Sequence, residues 1–265
     1  MKMEIQIIAK ETIKPSSPTP NHLRTHKLSV IDQLAIQRYI PVLLFYPSNG
    51  QDSSQRSCLL KKSLSQTLTL FYPFAGREVN NSGIDCNDEG VSFIEASVAA
   101  DLSMLLKQPH FELPQQLLPC KPNENSVPYC AGEILAVQVN YFSCGGMVIV
   151  VRIKHLIADA STAASFIERW GAVARFADTD VNGVILDCTN LFPPTDTAEG
   201  LSWWADCSNE EFLFEIATKR FVFDGSKIAA LRERVGNGLN PGWLTLTNAL
   251  RGCTCTNLGC FNGCN

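Results

Sequence analysis

Apolar residues follow two spacings along this chain, and each spacing predicts a kind of secondary structure. From Met3 to Ile13 they alternate with polar residues, which predicts a first strand. Two mainly apolar runs, Ile40–Tyr46 and Met147–Ile153, are too short to cross a membrane and are rich in residues that suit a packed, pleated surface. We therefore expect both runs to form buried strands, and Val91–Ala96 to form another.

Three segments instead repeat apolar residues at helical spacing. Residues 53–70 place leucines on one face, so we expect a helix with Ser53 or Ser54 as its N-cap. A second helix is predicted over about 161–176, and a short third helix over Ser226–Val235. The chain therefore combines strands and helices from its start to about residue 235.

A hairpin is predicted before the second of these helices. Ile134–Phe142 alternates and can pair with the strand that begins at Met147, because two glycines in the connection permit positive φ. His155 therefore follows the second arm of a hairpin. Residues 111–128, which are rich in proline and polar side chains, are expected to cross the surface.

Composition narrows the class of protein. The 265 residues can bury one substantial core, or one domain and part of another. The 22 basic and 26 acidic residues give a net charge of −4, and the basic residues form no cluster, so we expect no nucleic-acid partner. Neither a secretory signal pattern nor a long apolar run is visible, so we expect a cytoplasmic protein without a membrane partner.

The eleven cysteines fall into two groups. Seven are scattered without paired spacing, which is typical of reduced and mostly buried thiols: Cys58, Cys86, Cys120, Cys130, Cys144, Cys188 and Cys207. The other four crowd the end of the chain, with one C-x-C, irregular gaps and no histidine nearby: Cys253, Cys255, Cys260 and Cys264. Such spacing disfavours a zinc site, so we expect no metal.

His155 and Asp159 are the candidate catalytic residues. The preceding strand fixes His155 at a strand-to-helix corner, and an imidazole with an ordinary pKa of about 6.5 suits a general base near neutral pH. A hydrogen-bonded structural histidine beside a core strand is the alternative, and it is the commoner case for such a residue. Asp159 lies just before the predicted helix, so its alternative role is that of N-cap.

Five segments, in this order, resemble motifs of the plant BAHD acyltransferases. They are the LSxxD-like Thr25–Gln33, the YxPLAGR-like Phe71–Arg77, the CNDxGVxF-like Cys86–Phe93, the HxxxD element His155–Asp159, and the KRFVFD-like Lys219–Asp224 with Ile228, Leu231 and Arg232. Together they cover about residues 4–235, and their shared order is more specific than HxxxD alone. The proline-rich Pro15–Pro20 is similar to the alkaloid-acetylating branch of the family.

The resemblance implies a fold class, α/β with mixed α+β character. It predicts a chloramphenicol acetyltransferase-like domain, with a mixed sheet and flanking helices, and a second domain that is mostly missing. We expect the N-terminal domain over 1–200, a crossover linker over 201–218, the start of the second domain over 219–236 and a disordered tail over 237–265. Periodicity ends near residue 237 and the family's DFGWG motif has no counterpart, which indicates a shortened product.

The resemblance also implies an acyl-CoA-dependent O-acyltransferase. It assigns His155 to remove the proton from an acceptor alcohol, whose oxygen attacks the thioester without a covalent enzyme intermediate. Acetyl-CoA is the expected co-substrate, with no bound cofactor, and the acceptor is expected to be an alkaloid or another specialised metabolite. Asp159 is implied to be structural, orienting the motif loop through an arginine of the second domain.

Ser29, Ile31 and Asp32 are the expected contacts on the acceptor side, and their alternative role is that of turn and cap residues. The alternative function is that of a catalytically inactive, truncated isoform. Such a folded remnant would associate with itself or with a full-length relative, through the domain interface that its missing half would cover. The full-length form is expected to be a monomer.

Overall fold

The computed structural model describes residues 3–35, 38–79, 83–107, 112–119, 132–176, 186–195 and 223–236. The chain divides into two compact units, Met1–Thr218 and Lys219–Asn265. The strands of the first unit are β1 (Ile5–Ile13), β2 (Thr25–Lys27), β3 (Tyr39–Tyr46), β4 (Arg77–Val79), β5 (Gly83–Asp85), β6 (Val91–Val98), β7 (Leu135–Phe142) and β8 (Met147–Lys154). Its α-helices are α1 (Val30–Gln33), α2 (Ser53–Leu70), α3 (Leu102–Lys107), α4 (Glu112–Gln115) and α5 (Ala160–Ala174), with 3-10 turns at Asn21–Leu23 and Tyr72–Ala75.

Five strands form one mixed sheet in the order β1-β6-β7-β8-β3. β6 and β7 run parallel, whereas the other neighbouring strands are antiparallel. Strands are present at all five segments where the apolar pattern predicts them, Met3–Ile13, Ile40–Tyr46, Val91–Ala96, Ile134–Phe142 and Met147–Ile153. With its flanking helices, this sheet confirms the mixed α/β class.

The predicted hairpin joins β7 to β8. Residues 135–141 of β7 pair with β8 in antiparallel register, and Gly145 in the turn has a φ of +80°. A Cβ atom at Gly145 would also lie 2.6 Å from Ser48 Oγ, so both the backbone and the available space favour glycine there. Of the two turn glycines, only Gly145 has a positive φ.

Helices α2 and α5 pack side by side on one face of the sheet, as the leucine pattern of α2 and the apolar spacing of α5 predict. The centre of this core is aromatic. The ring centroid of Phe166 lies 5.3 Å from that of Phe71 and 5.2 Å from that of Phe74. All three side chains are fully buried, and burying each one stabilises the fold by about 1.5–3 kcal/mol.

Lys61 connects α2 to the sheet through two carboxylates. Its Nζ lies 2.6 Å from Glu11 Oε1 and 2.6 Å from Glu95 Oε2. Glu95 also accepts a hydrogen bond from the Tyr141 hydroxyl at 3.1 Å. Burial alone would raise the pKa of Glu95, but hydrogen bonds and charge from Lys61 outweigh burial and lower it. Glu95 is therefore a buried but ionised carboxylate.

The opposite face of the sheet is covered at one end by α3 and α4. Leu113 of α4, and Leu117 just after it, belong to the same buried apolar cluster as Val148 and Val150 of β8. The expectation that residues 111–128 cross the surface is therefore wrong for the described part, 112–119. Leucines four residues apart lie on one side of a short helical segment, where they close the core despite their polar neighbours.

A second, three-stranded sheet has the order β2-β5-β4. Gly76, which leads into β4, passes so close to β5 that a Cβ atom on it would lie 2.4 Å from the backbone oxygen of Asp85. The next residue, Arg77, donates a hydrogen bond from Nη1 to the Gly90 carbonyl at 2.8 Å. The YxPLAGR-like and CNDxGVxF-like segments therefore contact each other beside this small sheet.

Three further expectations are corrected. β3 is the edge of the sheet rather than a buried strand, and most of its residues are half-buried because only β8 pairs with it. α2 is capped by Asp52, whose side chain accepts the Ser54 N–H, rather than by Ser53 or Ser54.

Of the scattered thiols that the structure describes, only Cys86 is buried. Local spacing encodes neither strand order nor the burial of a small side chain.

The second unit contributes helix α6 (Gly225–Gly236), which confirms the helix predicted over Ser226–Val235. Asp224 begins it by accepting hydrogen bonds from the Ser226 hydroxyl at 2.6 Å and the Lys227 N–H at 2.9 Å. Residues 196–222 and 237–265 lie outside the described residues, so the domain boundaries stay predictions. Within the described part, no helix has both the length and the apolar character that a bilayer crossing requires.

Candidate active site

His155 lies where β8 ends and the turn toward α5 begins. The last residue of β8, Lys154, donates its N–H to the Ile134 carbonyl at 2.8 Å, on the β7 side. After it, Leu156 and Ala158 are buried in the core, whereas His155 is only half-buried. The alternation of inward and outward side chains thus continues from the strand into the turn and leaves the histidine at the end of the sheet.

His155 is held in place by its backbone. Its N–H donates to the Arg38 carbonyl at 2.8 Å, which extends the ladder between β3 and β8 by one residue. Its side-chain Nδ1 is shielded from solvent and has no hydrogen-bond partner among the described residues. A buried imidazole nitrogen is usually hydrogen-bonded, so the unpartnered Nδ1 is an exception to the structural role considered from the sequence, while the role of His155 as a base stays a prediction.

Asp159 caps α5. Its Oδ1 accepts the N–H of Thr162 at 2.7 Å, and its carbonyl accepts the N–H of Ala163 at 2.9 Å. The side chain is exposed, and none of the ion pairs among the described residues includes it. The N-cap role considered from the sequence is therefore present, while the orientation of the motif loop through an arginine stays a prediction.

Ser29, Ile31 and Asp32 lie at the N-cap and in the first turn of α1. Ser29 Oγ accepts the Asp32 N–H at 3.3 Å, and Asp32 Oδ2 accepts the Ser29 N–H at 2.8 Å, which together make a capping box. Ile31 is 53% exposed. No hydrogen bond or ion pair in the described ranges joins these three residues to His155, so their acceptor-side role stays a prediction.

A segment from 186 to 195 lies against α1. The Val30 N–H donates to the Phe192 carbonyl at 3.2 Å. Gln33 and Thr195 exchange two hydrogen bonds, at 3.3 Å from the Gln33 amide and 3.0 Å from the Thr195 N–H. The family-like LSxxD turn is therefore covered by a segment more than 150 residues away in sequence, a contact that the sequence pattern does not predict.

His26 is a second buried imidazole, on the strand β2 next to this covered turn. It is 5% exposed. Burial lowers the pKa of His26, and the nearby carboxylates of Asp32 and Asp187 oppose that effect without cancelling it. His26 is therefore held mainly neutral near pH 7, and the sequence motifs gave no reason to single it out.

Arg152 and Tyr39 form a contact that the sequence patterns also missed. The guanidinium carbon of Arg152 lies 3.7 Å from the centroid of the Tyr39 ring, and Arg152 is only 3% exposed. A desolvated cation–π contact contributes about 2 kcal/mol. Burial lowers the pKa of Arg152 and raises that of Tyr39. The available signal was a single basic residue inside an apolar strand, Val150-Val151-Arg152-Ile153.

Lys154 points to a carboxylate of the small sheet. Its Nζ contacts Glu78 Oε2, and the two side chains are only 14% and 15% exposed. Burial lowers the pKa of Lys154. A buried pair of this kind is costly to break from one side, because it leaves an uncompensated charge in the interior. The ion pair ties the end of β8 to β4, one residue before His155.

The described residues include no group of three or more His, Cys, Asp or Glu side chains placed to hold a metal ion. The terminal cysteines Cys253, Cys255, Cys260 and Cys264 lie outside the described residues. The chemistry available at the corner is therefore that of an imidazole, with a helix cap beside it. The imidazole of a half-buried histidine on a fixed backbone can accept a proton from a hydroxyl.

Comparison with known proteins gives consistent results. The family model of the transferase family matches residues 3–250. The chain is 47% identical over 245 residues to epi-neemfruitin B synthase of Melia azedarach, covering 91% of this chain and 55% of that protein. It is 46% identical over 252 residues to limonoid 1-O-acetyltransferase of Citrus sinensis, covering 91% of this chain and 56% of that protein.

Among solved structures, vinorine synthase is similar to this chain, with a TM-score of 0.70 and 37% sequence identity. The match covers 88% of this chain and 56% of vinorine synthase. The chain therefore spans little more than half the length of the curated relatives and the solved structure that it matches. Over that length the fold expected from the sequence motifs is confirmed.

Proposed function

This chain belongs to the BAHD acyltransferases, the transferase family matched over residues 3–250, and we propose that it is an acyl-CoA-dependent O-acyltransferase with His155 as the general base. The observation that carries the proposal is the placement of His155 at the β8–α5 corner. Its N–H is fixed to the Arg38 carbonyl, and the shielded Nδ1 of its imidazole has no hydrogen-bond partner among the described residues. Acetyl-CoA is the proposed co-substrate, because curated relatives include a named O-acetyltransferase.

In the proposed reaction the base is Nε2 of His155, because Nδ1 is shielded from solvent. Nε2 takes the proton of the acceptor hydroxyl while its oxygen forms a bond to the thioester carbonyl carbon. The tetrahedral intermediate collapses, the carbon–sulfur bond breaks, and the leaving thiolate of CoA takes the proton from the imidazolium. General-base assistance of this kind contributes roughly 10²–10⁴ in rate, and alignment of the two substrates contributes much of the remainder.

Asp159 supports this geometry as a positioning residue. Its cap on Thr162 fixes the first turn of α5 four residues after His155. Because Leu156 and Ala158 are buried between them, the turn has little freedom to move once the helix start is fixed. We therefore propose that Asp159 acts through the backbone of the corner and does not contact the substrate.

The proposed acceptor is a hydroxyl of a specialised metabolite. A limonoid alcohol is the first candidate, because a relative that is 46% identical to this chain is named as a limonoid 1-O-acetyltransferase. An alkaloid alcohol, expected from the proline-rich start of the chain, is the second candidate. The localisation to the cytoplasm and the acceptor-side role of Ser29, Ile31 and Asp32 are part of the same proposal.

The test is an acetyl-transfer assay with purified chain, radiolabelled acetyl-CoA and a panel of limonoid and alkaloid alcohols. We expect His155→Ala to lower the rate by about 10²–10⁴. His22→Ala is the matched control, because His22 is an exposed histidine of the same unit, and it is expected to retain the full rate. Equal product from the unaltered chain and from His155→Ala would exclude His155 as the base.

The inactive, self-associating isoform is the competing proposal. It predicts no acetyl transfer by the unaltered chain with any alcohol of the panel, together with a molar mass above 29.1 kDa in light scattering. An active monomer would exclude it.

A further inference from the structure

We infer that Arg152 and Tyr39 are positioning residues for His155: together they clamp the end of β3 whose Arg38 carbonyl holds the His155 N–H. The kinetic part of this inference rests on the proposed function, whereas its structural part does not. The contacts that carry it are the 3.7 Å separation of the Arg152 guanidinium from the Tyr39 ring centroid and the 2.8 Å hydrogen bond from His155 to Arg38.

Tyr39 joins three strands at the end of the sheet where His155 emerges. It is the first residue of β3 and pairs with Lys154 of β8. Its hydroxyl donates to the Glu133 carbonyl at 2.7 Å, close to the start of β7. Because β8 lies between β3 and β7, the Tyr39 side chain has to cross β8, and it does so under the guanidinium of Arg152.

The clamp matters because β3 is the edge of this sheet. An edge strand is paired on one side only, so its end is prone to local opening. Lys154 is held differently, because its N–H bonds to Ile134 on the β7 side of β8. His155 is the residue whose backbone depends on the β3 side, through Arg38. Loosening the end of β3 therefore frees His155 while leaving Lys154 in place.

Arg152 is suited to this task by its shape. A guanidinium is planar and stacks flat on an aromatic ring, which an ammonium does not do. Arg152 is 3% exposed and lies on β8, three residues before His155. Val150 lies on the same face of β8, two residues before Arg152, and is equally buried but packs in the apolar cluster formed with α3 and α4. Val150 is therefore a matched control for general loss of packing.

The structural test measures amide hydrogen exchange of the His155 N–H relative to the Lys154 N–H, by NMR on the full chain. We expect Arg152→Met, Arg152→Lys and Tyr39→Leu to accelerate exchange at His155 by about tenfold or more relative to Lys154. Tyr39→Phe keeps the ring under the guanidinium but loses the hydrogen bond to the Glu133 carbonyl, so it is expected to accelerate exchange at His155 less than Tyr39→Leu does. Val150→Ala is expected to change both amides together.

Two outcomes of that experiment would overturn the inference. The first is a ratio that stays constant in Arg152→Met and Tyr39→Leu, which would show that the clamp does not hold His155. The second is a ratio that changes as much in Val150→Ala as in Arg152→Met, which would reduce Arg152 to an ordinary core residue.

The kinetic test uses the same variants in the acetyl-transfer assay. A displaced base loses alignment rather than substrate binding, so we expect Arg152→Met to lower kcat by about 10-fold to 100-fold with an unchanged KM for acetyl-CoA. Tyr39→Phe, which loses only the hydroxyl anchor, is expected to lower kcat less than Tyr39→Leu, and Val150→Ala to keep kcat where the chain remains folded. An unchanged kcat in Arg152→Met would contradict the kinetic part. If the unaltered chain shows no His155-dependent transfer, the proposed function is overturned instead. The ratio of the His155 and Lys154 exchange rates would then still show whether Arg152 and Tyr39 hold the His155 backbone in place.

Discussion

The indole N–H of Trp170 donates to Ser63 Oγ at 2.9 Å and lies 3.2 Å from the Leu60 carbonyl. This contact joins α5, which begins at the His155 corner, to α2 on the same face of the sheet. Trp170 is 3% exposed and Ser63 is 2% exposed. A polar contact between two helices therefore sits inside an otherwise aromatic and aliphatic core, and fixes how α5 is rotated on α2.

This relationship predicts a coupling between the two residues. Trp170→Phe and Ser63→Ala each remove one partner, and the hydrogen bond has a net value of about 0.5–1.5 kcal/mol. In a double-mutant cycle followed by urea unfolding, we expect a coupling free energy of at least about 0.5 kcal/mol. Strict additivity of the two single substitutions would contradict the contact.

Asp159 offers a test that separates a helix cap from a charged contact. Asparagine caps a helix about as well as aspartate, whereas alanine does not. We expect Asp159→Ala to lower the free energy of unfolding by about 1 kcal/mol and Asp159→Asn to leave it nearly unchanged. If acetyl transfer is assayed in parallel, Asp159→Asn should retain activity. Equal losses of activity in both variants would instead indicate that the negative charge is required.

Gly76 should tolerate no side chain. A Cβ atom there would lie 2.4 Å from the Asp85 backbone oxygen, which is too close for any contact and cannot be relieved by a side-chain rotation. We expect Gly76→Ala to lower the free energy of unfolding by about 1–3 kcal/mol or more. Gly171→Ala in α5 is the control, because its nearest obstacle is the flexible end of Arg175 at 3.3 Å. That control should be neutral or stabilising by up to about 1 kcal/mol.

The lowered pKa of His26 predicts that the free energy of unfolding depends on pH in the mildly acidic range. Burial holds the pKa of His26 below its ordinary value of 6.5, so between 6.5 and the folded pKa the unfolded chain binds more protons than the folded one. The free energy of unfolding should therefore decrease as the pH falls from about 6.5. Urea unfolding at several pH values should show a smaller decrease in His26→Gln than in the unaltered chain. His22→Gln, at an exposed position, should follow the unaltered chain.

The lowered pKa of Glu95 predicts a second pH range, more acidic than that of His26, in which the free energy of unfolding decreases. Burial raises the pKa of Glu95, but hydrogen bonds from Lys61, Ser57 and Tyr141 and the charge of Lys61 together lower it below 4.5. The contribution of Glu95 to stability is therefore present above pH 4.5 and disappears as the pH falls through the folded pKa. We expect Glu95→Gln to lower the free energy of unfolding at neutral pH by about 1–3 kcal/mol and to flatten the acid-side decrease. Glu4→Gln, at an exposed position of the same unit, should do neither. An unaltered acid profile in Glu95→Gln would contradict the ion pair with Lys61.

The local pattern predicted what depends on neighbours in sequence. The period of two along Met3–Ile13 and the apolar run after Met147 indicated strands, because alternate side chains of a strand face opposite sides. The helical spacing after Asp159 indicated α5, and the corner at His155 followed from the change of period between them. N-caps were less certain, as Asp52 shows, because several residues in a row can accept the first N–H.

The same pattern could not predict the order of the strands in the sheet or which connecting segments are buried. β6 pairs with β7 in parallel, which the alternation of their residues does not indicate. β3 lies at the edge of the sheet and β8 lies inside it, although the apolar runs of these two strands look alike in sequence. Leu117 closes a core from within a segment whose prolines and polar residues indicate a surface. Such placements depend on which apolar faces meet, and the free energy of that choice is spread over many contacts.

By itself, therefore, the sequence determined the mixed α/β class, the hairpin, and a histidine at a strand-to-helix corner that family motifs connect with acyl transfer. Only the tertiary structure decided which residues hold that histidine. Arg38 lies more than 100 residues before His155, and Tyr39 bonds to Glu133 across 94 residues. Contacts at that separation form when the sheet assembles, because they gain their free energy from strand pairing and burial that no local segment contains.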